Sequence, residues 1–234
     1  YKRQAMWADR HNRRNLIAFS ISLWSAMTVF CGMAGQFWQL LLARIGVGVG
    51  EAGSNPPSHS IISDLYKPEE RATAMAIFGL GVNFGIMLGY LIGGWVNEWI
   101  GWRWAFVVAG VPGLIIALIV RMTMVEPPRG YADGLAEKPS APPFWSVVRY
   151  MLNSPATRQL VIANSLISMA GYAAIAWAPV YFQRVHGFST AESGTFLALA
   201  IGIGGGLGTF FGGFFADRWA RISEGWRAWI VCLT

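Results

Sequence analysis

Apolar residues in this chain gather into long runs separated by short polar connections. They do not alternate at the period of two that marks half-buried strands. Six runs occupy residues 16–34, 38–62, 72–96, 104–124, 160–182 and 191–215, and a seventh begins at Trp226. A helix rises about 1.5 Å per residue, so roughly 20 apolar residues cross the hydrocarbon core of a bilayer. The pattern therefore predicts an all-α membrane protein. No charged n-region precedes a short apolar stretch and small-residue cleavage site, so none of the runs is expected to be a signal peptide.

One long polar interruption, 126–155, divides the series into four runs before it and two complete runs after it. Its first part carries Pro127, Pro128, Pro139, Pro142 and Pro143 and is expected to be an extended linker. In its second part, 144–152, Trp145, Val148 and Leu152 fall near one helical face. That spacing predicts a short helix lying on a membrane surface. The expected division is a first bundle over 1–125, a linker with an interfacial helix over 126–157, and part of a second bundle over 158–234.

Composition supports this picture and charge orients it. Hydrophobic residues make up 54% of the chain and charged residues 13%, about half the charged share of a soluble protein. The net charge of +6 might invite a nucleic-acid reading, but its distribution follows the connections between runs. Alternate connections hold only Arg103 and Arg184, and Arg44 lies within a run; the other fifteen of the eighteen Lys and Arg lie on the opposite side. The positive-inside rule then places the basic connections in the cytoplasm, as expected for a multi-pass protein of a cell's inner membrane. No basic patch on a nucleic-acid-binding fold is apparent. Cys31 and Cys232 both lie in apolar runs, as small core residues do, rather than as a disulfide or metal pair.

A repeat lies in two of the basic connections. The stretch AMWADRHNRR at 5–14 is matched by GFFADRWAR at 213–221, each a small residue, three spacers, Asp-Arg, and a further basic residue. Parallel repeats of this kind mark transporter folds built from two halves. The segment resembles the loop signature G-x-x-x-D-R-x-x-R-R of the major facilitator superfamily, found between helices 2 and 3 and again between 8 and 9; Ala5 stands where the first copy has glycine. In that register the complete helices correspond to helices 3 to 8 of a twelve-helix major facilitator fold, with the start of helix 9. ARIGVGVGEAG at 43–53, SIISD at 60–64 with Arg71, GWRWAF at 101–106, GVPG at 110–113 and EPPRG at 126–130 narrow the likeness to Spinster-type members. The resemblance implies a monomeric, alternating-access secondary transporter that moves amphipathic, lipid-like molecules, with protons as coupling ion and no other cofactor.

Arg44 and Glu51 are the most informative candidates. An ionisable residue at mid-bilayer costs roughly 2.5–3.5 kcal/mol on insertion scales, so two in one helix require partners or water. Seven residues at about 100° each leave them about 20° apart around the helix and roughly 10 Å apart along it. Asn55 falls on the same stripe and His59 nearly so. The stripe is expected to face a water-accessible cavity, with Glu51 as proton acceptor and Arg44 as its companion; a buried charge network locking helices together is the alternative. In the resembling family an acidic residue of helix 1 joins this pair. Asn55-Pro56-Pro57 predicts a helix break, because proline lacks the N–H that carbonyls near Ala52 and Gly53 need. His59 is a cavity candidate or simply a packing residue.

The Asp-Arg loops supply a second constellation. Arg13 stands four residues after Asp9, where the superfamily motif has a basic residue that pairs with an acid at the cytoplasmic end of helix 4, and Asp64 occupies that end. Asp9, Arg10, Arg13, Asp64 and Arg71 are expected to form a cytoplasmic gate of exposed, individually weak pairs, and Asp217 and Arg218 its counterpart. Charged loops that only fix topology are the alternative. Gly81, Gly85, Gly89, Gly93 and Gly94 recur at a spacing that lets helices approach closely, as do Gly202, Gly204, Gly205, Gly206 and Gly208. In the helix after the linker, Asn164, Ser168 and Tyr172 at four-residue spacing, with Trp177 beside Pro179, are candidates for a substrate wall or for interhelical hydrogen bonds. No nucleophile–base set, metal-ligand spacing or phosphate-binding loop points to an enzyme. A multidrug or organic-anion transporter of the same fold is the alternative in cargo, and a non-transporting receptor or membrane enzyme the alternative in class.

Overall fold

The computed structural model describes residues 12–128 and 144–208, all of it helix and connection. The first segment contains α1 (Arg13–Met33), α2 (Phe37–Ala52), α3 (Asn55–Leu65), α4 (Pro68–Ile100) and α5 (Trp102–Thr123). The second contains α6 (Phe144–Asn153), α7 (Pro155–Val185) and α8 (Thr190–Leu197), which continues as a π-helix over Ala198–Gly204. Arg13–Met33, Thr73–Ile100, Trp102–Thr123 and Pro155–Val185 are each long and apolar enough to cross a membrane. The other two apolar runs are built from shorter pieces. The run at 38–62 breaks between α2 and α3, and the run from 191 changes from α to π geometry after Leu197.

The break lies where the proline pair places it. Pro56 and Pro57 sit in the first turn of α3, which tolerates proline because its N–H groups have no helical partner there. The turn between the helices is closed by Gly53 N–H to Gly50 O at 3.1 Å and Ser54 N–H to Glu51 O at 3.4 Å. At the other end of α4, Gly101 adopts φ 93°, a left-handed conformation that favours glycine, and the chain reverses directly into α5.

α1 packs against both α2 and α5. Small residues make this possible. A Cβ on Gly50 would lie 2.7 Å from the backbone nitrogen of Trp24, so α2 can lie against α1 only with glycine there. Gly46 and Gly53 continue the same face onto Met27 and Ser20. Around this seam Cys31, Ala43 and Val47 are buried, with Trp24, Met27, Leu40 and Phe106 packed on them. The core of the first segment is thus a narrow seam along α1. The surrounding large apolar side chains, such as Ile45, Ile77, Ile115 and Leu160, face outward as lipid-facing residues do.

α6 occupies the stretch expected to hold a surface helix, and Trp145, Tyr150 and Leu152 are exposed on it. α7 begins at Pro155, where the Ser154 side chain caps it through Thr157 N–H. α4 is the bridge between segments. It contacts α5 on one side and both α8 and the π-helix on the other.

Candidate functional site

The stripe on α2 and α3 forms from helix geometry alone. Ala43, Val47 and Gly50 turn inward against α1, while Arg44, Glu51, Asn55 and His59 are exposed. Among the described residues neither Arg44 nor Glu51 has an ion-pair partner within 4.0 Å. Two charges in the middle of an apolar run cannot stably face hydrocarbon, so the exposed stripe defines a side of the bundle that meets water or further protein. His59 leans from the stripe onto α4, its Nδ1 3.0 Å from Met75 Sδ and its ring edge-to-face with Phe78 at 5.3 Å. These contacts join α3 to α4.

At the basic end, Arg13 enters the protein interior. It is 1% exposed and makes five polar contacts. Its guanidinium donates to Asp64 Oδ2, to Ser60 Oγ at 3.0 Å, to Glu126 Oε1 at 3.2 Å and to the Pro127 carbonyl at 2.8 Å. Its backbone N–H also donates to Glu126 Oε1, at 3.0 Å. The Arg13–Asp64 pairing is the one the spacing predicts. Its environment is not, because both side chains are nearly fully buried rather than surface-exposed. The correction has a structural cause: α1, α3 and the chain leaving α5 converge on the guanidinium and exclude solvent. Such a buried pair is strongly destabilising to break from one side, by about 3–5 kcal/mol, because the orphaned charge stays behind.

Glu126 and Ser60 belong to this constellation and were not predicted. Ser60 lies one turn before Asp64 on the same face of α3, a spacing legible in the sequence. Glu126 is 113 positions from Arg13, and only its place as the acid following the last run before the linker hints at it. Arg71 instead donates from Nε to the Tyr66 carbonyl at 3.0 Å, closing the turn between α3 and α4. Asp9, Arg10, Asp217 and Arg218 lie outside the described residues.

Asn164, Ser168, Tyr172 and Trp177 are all exposed along α7, which buries no residue of its own. Among the described residues no hydrogen bond joins them to the α2–α3 stripe.

The two segments meet along α4 and α8, and the fit changes along their length. Near the Gly101 end a Cβ on Gly94 would lie 2.6 Å from the Thr190 carbonyl and 3.1 Å from Gly194 Cα, which is backbone contact. Tyr90 Oη donates to the Ile175 carbonyl of α7 at 2.7 Å, and Trp95 Nε1 to Thr195 Oγ1 at 2.9 Å. Toward the basic end α4 still meets the π-helix, where a Cβ on Gly202 would lie 2.6 Å from Met87 Cβ. A cleft of about 260 Å³ opens there, lined by Asn83, Phe84, Met87, Gly202, Ile203 and Gly206 among others. Of the glycine stripe on α4, Gly81, Gly85, Gly89 and Gly93 have no atom within 4 Å of an added Cβ, and only Gly94 makes the close approach. The segments are in backbone contact at the Gly101 end and meet through side chains beside a small cleft toward the basic end.

Residues 5–234 match the profile of the Major Facilitator Superfamily. The chain belongs to the major facilitator superfamily. It is 36% identical to a solved bacterial homologue of the human lysosomal transporter Spinster in an inward-facing, unoccupied conformation. That match has a TM-score of 0.75 and covers 92% of this chain and 50% of that one. It is also 32% identical to an MFS-type efflux pump of Mycolicibacterium smegmatis, over 96% of this chain and 51% of the pump. The mouse sphingosine-1-phosphate transporter SPNS2 is 33% identical over 75% of this chain and 33% of its own length. This superfamily chain thus spans about half or less of the length of the relatives named. The likeness to Spinster homologues expected from the motifs at 43–53 and 101–106 is borne out, and so is the all-α partial major facilitator fold.

Proposed function

We propose that this chain is the middle portion of a twelve-helix secondary transporter that moves an amphipathic, lipid-like substrate by alternating access, with protons as coupling ion. The observation that carries the reading is the exposed Arg44–Glu51–Asn55 stripe on a broken helix of a superfamily member similar to Spinster homologues. Residues 1–125 belong to a first bundle, 126–157 to the linker with its surface helix, and 158–234 to a second bundle. The stripe is one wall of a central cavity whose remaining walls come from the rest of the protein and from Asn164, Ser168, Tyr172 and Trp177.

In this reading Glu51 takes up and releases the coupling proton, and Arg44 responds to its charge. Coupling needs the inward- and outward-open states to differ in proton affinity at that carboxylate. The positive-inside rule puts the basic end in the cytoplasm. The cleft between α4 and the π-helix lies toward that cytoplasmic end. Arg13 and Asp64, with Glu126, belong to the cytoplasmic gate at that end of the first bundle.

Reconstituting the full-length protein in liposomes under an imposed pH gradient tests the proposal. Glu51→Gln is expected to abolish gradient-driven uptake while leaving passive exchange in place. Unchanged gradient-driven uptake in that variant would remove Glu51 from coupling. A second reading, export of drug-like organic molecules, is favoured by the likeness to the mycobacterial efflux pump, which runs along almost the whole chain. Offering lysolipid and cationic-drug cargoes to the same liposomes separates the two.

A further inference from the structure

We propose that Glu98 is a clasp between the two segments, holding the Gly101 end shut by capping a helix of the other segment. The argument begins with the placement of its charge. Glu98 lies in the last turn of α4, where the helix dipole presents its negative end, an unfavourable place for a carboxylate. It reaches out of that turn to the N-terminus of α8, where the dipole is positive. Its Oε2 accepts the Ala191 backbone N–H at 2.8 Å and lies 3.4 Å from Thr190 Oγ1.

α8 leaves this position free for it. Ser189 and Glu192 form a reciprocal capping box, the Ser189 hydroxyl accepting the Glu192 N–H and Glu192 Oε2 accepting the Ser189 N–H. A capping box satisfies only part of the first turn's unpaired donors. The Ala191 N–H is one that remains, and it is filled from the other segment. Thr190 Oγ1 also lies 3.3 Å from the Gly94 carbonyl, tying the same residue to α4 one turn below Glu98. Each of these contacts exists only while α4 and α8 are docked. Separation returns Glu98 to the unfavourable end of its own helix and strips α8 of a cap. The carboxylate therefore has a differential interaction with the closed and open arrangements, which is what a conformational equilibrium responds to. Gly94 and Gly194 set the distance at which the clasp reaches; Glu98 favours the arrangement in which it is reached.

The inference rests on the alternating-access reading only for its bearing on transport. Its test is independent of cargo. In the purified full-length protein, Ser193→Cys places a thiol at a buried seam position, 1% exposed, in a background with Cys31 and Cys232 replaced. Its rate of modification by a water-soluble maleimide reports how often the seam opens. Glu98→Ala is expected to raise that rate about tenfold, the scale of one charge-assisted hydrogen bond, and Glu98→Gln, which keeps an acceptor oxygen, by less. Native Cys31, fully buried in the first segment's core, serves as the control in a matched variant lacking the Ser193 probe. Its modification rate should not change. An unchanged rate at position 193 in Glu98→Ala overturns the clasp, and so does a parallel rise at Cys31, which would mean general loosening. A selective rise at 193 in a protein that moves no cargo in liposomes would leave the clasp standing and remove the transport reading.

Discussion

The two ends of this molecule are fastened in opposite ways. At the basic end, Arg13 sits in a dry knot with Asp64, Ser60, Glu126 and the Pro127 carbonyl, all from the first segment. At the Gly101 end the fastenings are separate hydrogen bonds that cross between segments, among them the part-buried Ala191 N–H to Glu98 and the exposed Trp95 Nε1 to Thr195. Buried charge pairs are costly to open and suit an element that stays assembled. Isolated hydrogen bonds over a glycine contact are individually weaker than a buried ion-pair network and suit a surface that opens and closes. The contrast sets a buried network within one segment against separate bonds between two.

Substitutions should sharpen that contrast in order of size. Arg13→Ala removes the guanidinium from the buried Asp64 and from Glu126, and should destabilise the full-length protein by about 3–5 kcal/mol, read as a large drop in the melting temperature of the purified protein. An effect below about 1 kcal/mol would mean that the knot is solvated and weak. Gly194→Val comes next. A Cβ there would meet the Tyr90 carbonyl at 2.5 Å and Gly94 Cα at 3.0 Å. Overpacking of this kind costs about 1–3 kcal/mol, and here it should be relieved by parting α4 from α8. Faster thiol modification at position 193 with little change in melting temperature is the expected signature. Trp95→Phe should have the smallest effect, removing one hydrogen bond to Thr195 and raising the same modification rate by a few fold. A comparable response at Cys31 in any of the seam variants would erase the distinction between the two ends.

Much of the fold was legible in the chain before any coordinates. The runs at 16–34 and 104–124 became α1 and α5 with little change, because the length of an apolar run is a local property that the bilayer enforces. The break after α2 was legible from Pro56 and Pro57, since the missing N–H acts within one turn. Arg44, Glu51 and Asn55 share a face for the same local reason, and Asp64 as the partner of Arg13 followed from the motif spacing. The alternation of basic connections, likewise, is a property of sequence order alone.

Long-range choices were not available at that level. Gly81, Gly85, Gly89 and Gly93 recur every four residues, yet Gly94, next to the last of them, is the one that touches Gly194. Glu126 closes on Arg13 across 113 positions, and Glu98 caps a helix 93 positions away. Each pairing depends on how whole helices are placed, and helix placement is decided by the packing of all of them together. The sequence by itself determined which segments are helices, where they break, and which side chains share a face, because those follow from hydrogen bonding and periodicity within a few residues. Only the tertiary structure decided which charges are buried, which glycine is a contact, and which end of the seam is in backbone contact, because burial and contact belong to pairs of helices rather than to any one of them.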